Sequence, residues 1–162
     1  MRISFDLDET LISQNIDWEV EPDLAGFRGE KERLRKGTVE LFKWIREQNH
    51  EIWIYTNSYR GWMDLGSWFQ DCGISVDGVI NQIVHDRKRE EQNQKCQLEK
   101  NPEWFGIDLH FDDSDELAEQ ERICKIDPLD SSWTDRVKLY IKVKSGTFIL
   151  FPHFNKPLPV TC

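Results

Sequence analysis

Asp6 and Asp8 stand two residues apart where a short apolar run, Arg2-Ile3-Ser4-Phe5, gives out, and Leu11-Ile12 follows them. In an open α/β sheet, ligands bind in the crevice outside the carboxyl ends of the strands. Two carboxylates emerging there repel each other unless something positive lies between them, and a hard divalent cation together with a phosphate fits that need. An acidic turn left idle in solvent would look the same over these few residues. The rest of the chain decides between the two. Thr56-Asn57-Ser58 follow the apolar run Glu51 to Tyr55, and Asp112-Asp113-Ser114 follow the apolar run Ile107 to Phe111. One polar cluster could cap a helix, because Ser, Asn and Asp are favoured N-caps. Three clusters carrying four carboxylates, each at a strand's end, point instead to a metal-assisted site.

The elements that must position these clusters alternate along the chain. The sequence predicts strands at Arg2 to Phe5, Glu51 to Tyr55, Val79 to Val84, Ile107 to Phe111 and Ile123 to Ile126. Helical patterning runs from Gly37-Thr38 through Val39, Phe42, Ile45 and Arg46 to Asn49, and again from about Arg60 to Asp71, closed by Cys72-Gly73. A charged helix is expected from Asp86 to Lys100, and a further helical turn from Pro128 to Val137. Residues 13–36, with Pro22, Gly26 and Gly29, read as an irregular flap after the first cluster. Residues 139–162 read as a hairpin about Ser145-Gly146 followed by a Pro-rich tail. Strand–helix alternation with short connections predicts one α/β domain spanning 1–162, three-layered and Rossmann-like, with a central parallel sheet. In such a sheet the three clusters converge on one edge.

Composition narrows the setting. The 162 residues are one domain's worth, 38% hydrophobic with seven Trp, enough for a packed core. Of these Trp, 44, 53, 62, 68, 104 and 133 are expected in the core, while Trp18 and Phe27 lie in the flap, where packing is the expected role. A net charge of −9 weighs against nucleic acid and anionic membranes as general partners. No apolar stretch approaches the length of a membrane span, and the first residues do not read as a signal peptide. Cys72, Cys96, Cys124 and Cys162 are far apart, so neither a zinc knuckle nor a disulfide framework is expected, and a reducing, cytoplasmic setting follows.

The three strand-end clusters resemble the motifs of the haloacid dehalogenase superfamily of phosphohydrolases. Ile3-Ser4-Phe5-Asp6-Leu7-Asp8-Glu9-Thr10-Leu11 is similar to its first motif, Ile52-Trp53-Ile54-Tyr55-Thr56-Asn57 to its second, and Ile107-Asp108-Leu109-His110-Phe111-Asp112-Asp113-Ser114 to its fourth. The motifs come in order, and the resemblance covers residues 2 to 137. It implies a Mg²⁺-dependent phosphatase of a small, uncapped kind. Asp6 would be the nucleophile and Asp8 the general acid and base. Thr56 and the Asn57 backbone would hold the phosphoryl group. Asp6, the Asp8 carbonyl and Asp113 would bind Mg²⁺, with Asp112 beside them as a supporting or alternative ligand. The third motif supplies a lysine that steadies the phosphate. Lys100 is favoured because Lys100-Asn101-Pro102-Glu103-Trp104-Phe105 resembles related phosphatases, with Lys88 and Lys95 as alternatives.

Members acting on small metabolites carry an inserted cap, and the intervals Asp8 to Gly37 and His85 to Ile107 are too short for one. An open site needs a bulky phosphorylated substrate or a neighbouring subunit to exclude water. Two other readings use the same residues: a non-catalytic module binding metal or phosphate, and a phosphotransferase. Retention of both Asp6 and Asp8 favours the phosphatase, and the missing cap argues against a mutase.

Overall fold

The computed structural model describes residues 1–13, 15–22, 33–93, 100–115, 117 and 120–146. Five strands form one all-parallel sheet: β1 (Arg2–Phe5), β2 (Glu51–Tyr55), β3 (Gly78–Ile80), β4 (Leu109–Asp112) and β5 (Ile123–Lys125), in the order β3-β2-β1-β4-β5. Among the described residues four helices accompany them: α1 (Thr38–Glu47), α2 (Trp62–Asp71), α3 (Gln82–Glu91) and α4 (Trp133–Lys144). This is the small three-layer α/β, Rossmann-like arrangement that the alternation predicts. No helix among the described residues is long and apolar enough to cross a membrane.

The order places β1 centrally, paired with β2 on one side and β4 on the other. Ile3, Phe5, Ile52, Ile54, Leu109 and Phe111 are all buried, as strands covered on both faces require. Phe5 stacks between Phe42 of α1 and Phe111 of β4, at centroid distances of 5.0 and 5.2 Å. Helix α1 presents Leu41, Phe42 and Ile45 to this core and starts at Gly37, whose φ of 89° suits glycine.

Four sequence expectations are corrected. The expected strand Val79 to Val84 is not one strand, because β3 ends at Ile80 and Asn81 then caps α3. Its side chain accepts a 3.0 Å hydrogen bond from the Val84 amide, so the chain turns helical with Ile83 and Val84 left exposed. The charged helix accordingly runs over Gln82–Glu91 rather than Asp86 to Lys100. Residues 139–144 belong to α4 and not to a hairpin: Trp133, Val137 and Ile141 are buried at helical spacing, and Leu139 and Val143 face outward. The remainder of the expected hairpin and tail, 147–162, lies outside the described residues. Trp68 and Trp133 are core residues as expected and Trp44, Trp53 and Trp104 are half-buried, but Trp62 is 48% exposed.

The described part of the flap after β1 is pinned back on the domain. Ile12 bridges Leu34 and Val20 bridges Arg35 in antiparallel fashion. Arg35 is buried between the rings of Trp18 and Trp133, and its Nη2 donates to the carbonyls of Asp127, Pro128 and Asp130. One guanidinium thus joins the segment after β1 to the segment after β5. Trp18 packs on it, in keeping with the expected packing role; Phe27 lies outside the described residues.

At the opposite side of the sheet, Gly78 of β3 pairs with Trp53 of β2, and a Cβ at this position would come within 2.2 Å of the indole ring. That ring is held by a hydrogen bond to Glu51 and by Arg2 stacked 4.5 Å above it. Gly78→Ala should therefore cost about 1–3 kcal/mol through overpacking. Urea unfolding checks this, with a lowered midpoint expected at unchanged slope.

Candidate metal- and phosphate-binding site

The strand order brings the three polar strand ends together. Asp6 follows β1, Thr56 follows β2 and Asp112 ends β4, all on the carboxyl edge of three adjacent strands. The ladder continues into the site: the Asp6 amide donates to the Phe111 carbonyl at 2.8 Å and the Thr56 amide to the Ile80 carbonyl at 2.9 Å. Beyond Asp6 the backbone reverses. The amides of Leu11 and Ile12 both donate to the Leu7 carbonyl, and Glu9 sits at φ 60°, a strained left-handed conformation for a residue with a Cβ. This tight loop lifts Asp8 to the surface and turns Thr10 inward, where its hydroxyl donates to Asp113 Oδ1 at 3.3 Å. Ser13 spends its hydroxyl on Glu9 and on the amides of Asn15 and Ile16, a local turn role.

At the centre lies Lys100, only 2% exposed, with Nζ 2.6 Å from Asp6 Oδ1 and 2.6 Å from Asp112 Oδ2. Of the two candidate lysines among the described residues, this is the one at the site. Lys88 pairs with Glu91 on the surface of α3, and Lys95 lies outside the described residues. A full helix between the lysine and the paired acids is not needed, because a single 3-10 turn, Pro102–Phe105, leads into β4. The lysine's backbone is fastened too. Tyr55, at the end of β2, accepts the Asn101 amide at 2.8 Å, and Gln120 donates to the Lys100 carbonyl at 3.2 Å. The Tyr55 hydroxyl also meets His85 Nδ1 at 2.6 Å.

Asp6, Asp112 and Asp113 each offer an oxygen within 4.8 Å of the others. Three carboxylates against one ammonium leave a surplus of negative charge that suits a hard divalent cation, and the donors are all oxygens. The residues present therefore fit Mg²⁺. They do not contribute equally, however. Asp112 Oδ2 already takes Lys100 and His110 Nε2, the latter at 3.0 Å, and its Oδ1 takes the Ser114 amide at 2.9 Å. Asp112 is thus placed to anchor Lys100, leaving Asp6 and Asp113 as the better-placed metal donors.

The ionisation pattern has the same origin. Burial pushes the Asp6 carboxyl up to about 7, outweighing the lowering pull of Lys100, and the Asp112 charge adds to the rise. Asp112 is itself held far below the carboxylate range: burial opposes its charge, but the hydrogen bond from His110 and the Lys100 charge prevail. Burial, with the Asp112 charge, also raises Asp113. His110, fully buried, is held down to about 4 by desolvation.

Asp8 stands apart from this buried group, half-exposed, its Oδ1 3.6 Å from Arg60 Nη1 and its Oδ2 3.5 Å from Thr56 Oγ1. Thr56 is buried, with its Oγ1 accepting the Ser58 amide at 3.0 Å, while Asn57 is exposed beside it. Arg60, Tyr55, His110 and Thr10 are the neighbours that motif reading passes over as site residues. Thr10 is part of the first motif, and His110 left a signal as a polar residue in an apolar strand. No protein-family model matches this chain, and no curated protein matches its sequence.

Proposed function

We propose that this protein is a Mg²⁺-dependent phosphatase of the haloacid dehalogenase kind, hydrolysing a phosphomonoester through an aspartyl-phosphate. The observation that carries the reading is Lys100, buried and bridging Asp6 and Asp112 at the carboxyl edge of β1 and β4, with Asp8 and Thr56 flanking. A structural ion pair has no need of a third and fourth carboxylate beside it.

In the proposed reaction an Asp6 oxygen attacks phosphorus and the bond to the leaving oxygen breaks. Asp8, on the solvent side, delivers the proton that the leaving alkoxide takes. Water then attacks the phosphorus of the acyl phosphate, Asp8 takes the water's proton, and phosphate departs as the Asp6 carboxylate is restored. Lys100 and Thr56 neutralise and orient the phosphoryl oxygens, since this chemistry depends mainly on positioning and charge. Asp6 and Asp113 would hold Mg²⁺, which supplies the charge that lets carboxylate and phosphate approach.

The substrate we propose is bulky rather than a small metabolite. Tyr59, Trp62 and Met63 follow Thr56 closely in the chain and are 73%, 48% and 79% exposed, next to Arg60, which reaches Asp8. Apolar side chains beside a polar site suit a substrate that extends past its phosphate. We place the activity in a reducing, cytoplasmic compartment, where Cys72 and Cys124 would stay reduced.

Turnover of p-nitrophenyl phosphate with Mg²⁺, and with the metal removed by chelator, tests the proposal. Release that requires the metal is expected. Folded protein that binds Mg²⁺ without releasing nitrophenol would favour the binding module.

A further inference from the structure

We propose that Ser4 and His110 are positioning residues that set the direction of Lys100 through Asp112, a role that rests on the phosphatase reading above. Both are fully buried and stand opposite each other in the register of β1 and β4. Ser4 Oγ lies 2.8 Å from His110 Nδ1, and His110 Nε2 lies 3.0 Å from Asp112 Oδ2. His110 and Asp112, two apart on one strand, share a face, so the imidazole spans from the sheet interior to the carboxylate. Asp112 is ionised beside Lys100, so the ring nitrogen facing it carries the proton and the other accepts from the Ser4 hydroxyl. Ser4 thereby fixes the tautomer that His110 needs to serve Asp112.

The consequence falls on Lys100. An ammonium has three N–H donors, and Asp6 and Asp112 take two at 2.6 Å each, so their positions decide where the third points. Asp112 Oδ2 is shared between Lys100 and His110, and its Oδ1 is tied to Ser114. Without the His110 donor, Asp112 can swing about its last torsion, and the lysine follows it. The phosphoryl oxygen that Lys100 should meet is then met at the wrong angle. The metal donors Asp6 and Asp113 make no bond to His110. A defect in this relay should therefore appear in phosphate handling before it appears in metal affinity.

His110→Leu, His110→Gln and Ser4→Ala separate this from packing, since Gln keeps a donor near the place of Nε2. With p-nitrophenyl phosphate, His110→Leu should lower kcat/KM about 10- to 100-fold, the usual effect of removing a supporting hydrogen bond. The Mg²⁺ concentration for half-activation should move far less than kcat/KM, because His110 bonds to Ser4 and Asp112 and not to Asp6 or Asp113. Ser4→Ala should show a smaller loss of the same kind, and His110→Gln should recover most of the activity. Calorimetric titration of inorganic phosphate in Mg²⁺ gives a second readout and should weaken in the same rank order. Wild-type kcat/KM and phosphate affinity in folded His110→Leu and Ser4→Ala would overturn the relay while leaving the phosphatase intact. If His110→Leu does not fold, Ser4→Ala and His110→Gln decide alone. Wild-type protein that neither turns over nor binds phosphate would remove the phosphatase reading and this one with it.

Discussion

Asp6→Asn should abolish turnover and, in the absence of metal, make the protein more stable. Loss of a covalent nucleophile is expected to cost on the order of 10⁶-fold in kcat. The gain in stability follows from the same residue's burial. A carboxyl pushed up to about 7 binds more protons in the folded chain than in the unfolded one. Its contribution to stability is therefore highest below pH 4 and declines as pH rises through 7. Above that range the metal-free fold holds an ionised carboxylate that it would rather keep neutral. Asn is always neutral and still accepts from Lys100, whose pairing with Asp112 remains. We expect Asp6→Asn to raise metal-free stability at pH 7.5 by about 1–3 kcal/mol, roughly 3–10 °C in Tm. Saturating Mg²⁺ should shrink or reverse the difference, because wild type gains a ligand that the variant holds poorly. Thermal melts at pH 5 and 7.5, in chelator and in Mg²⁺, read all of this. An Asp6→Asn Tm below wild type in chelator at pH 7.5 would contradict the account.

Lys100→Met should have the opposite effect on stability and the same effect on activity. Removing the buried ammonium that bridges them leaves Asp6 and Asp112 facing each other uncompensated, and breaking a buried pair in this way costs about 3–5 kcal/mol. For a chain of this size that corresponds to a fall in Tm of roughly 6–20 °C. Turnover should be lost as well, since no cation would meet the phosphoryl group. The double variant carrying Asp6→Asn and Lys100→Met has one fewer buried charge to strand, so it should be more stable than Lys100→Met alone. A double-mutant cycle in urea measures the coupling directly. Additive effects would show that Lys100 and Asp6 do not sense each other across their 2.6 Å contact.

The sheet and most of the site were legible from residue order because their signals are local. Asp6, Thr56 and Asp112 each follow an apolar run, and a parallel sheet turns that repetition into adjacency. Lys100 could be favoured but not fixed by sequence, because its place depends on a 3-10 turn where a helix was conceivable. Ser4 and His110 were illegible as partners: they are 106 residues apart, and only the β1–β4 register places them opposite each other. Arg60 reaches Asp8 by a loop path that no pattern encodes. The misread elements failed through a wrong period. Val79-Ile80 and Ile83-Val84 flank Asn81 and Gln82 with β-branched residues that imitate a strand and hide the Asn81 cap, which competes with strand continuation by offering the Val84 amide a partner. In α4 the alternation of Leu139, Ile141 and Val143 imitates a strand, whereas the stripe Trp133, Val137 and Ile141 decides the matter through burial.

The central place of β1 also orders events in time. Its neighbours begin at Glu51 and Leu109, so the strand bearing Asp6 waits for one partner nearby and another far along the chain. Contacts of such long sequence separation are slow to close, and a nascent chain acquires them last. Half the sheet, β1 to β3, can pair while Lys100 and Asp112 are still unmade. During that interval the residues proposed for catalysis have neither their ammonium nor their third carboxylate. The proposed active centre is therefore an outcome of late folding, and a stalled or truncated intermediate would carry the first motif while lacking the partners it needs.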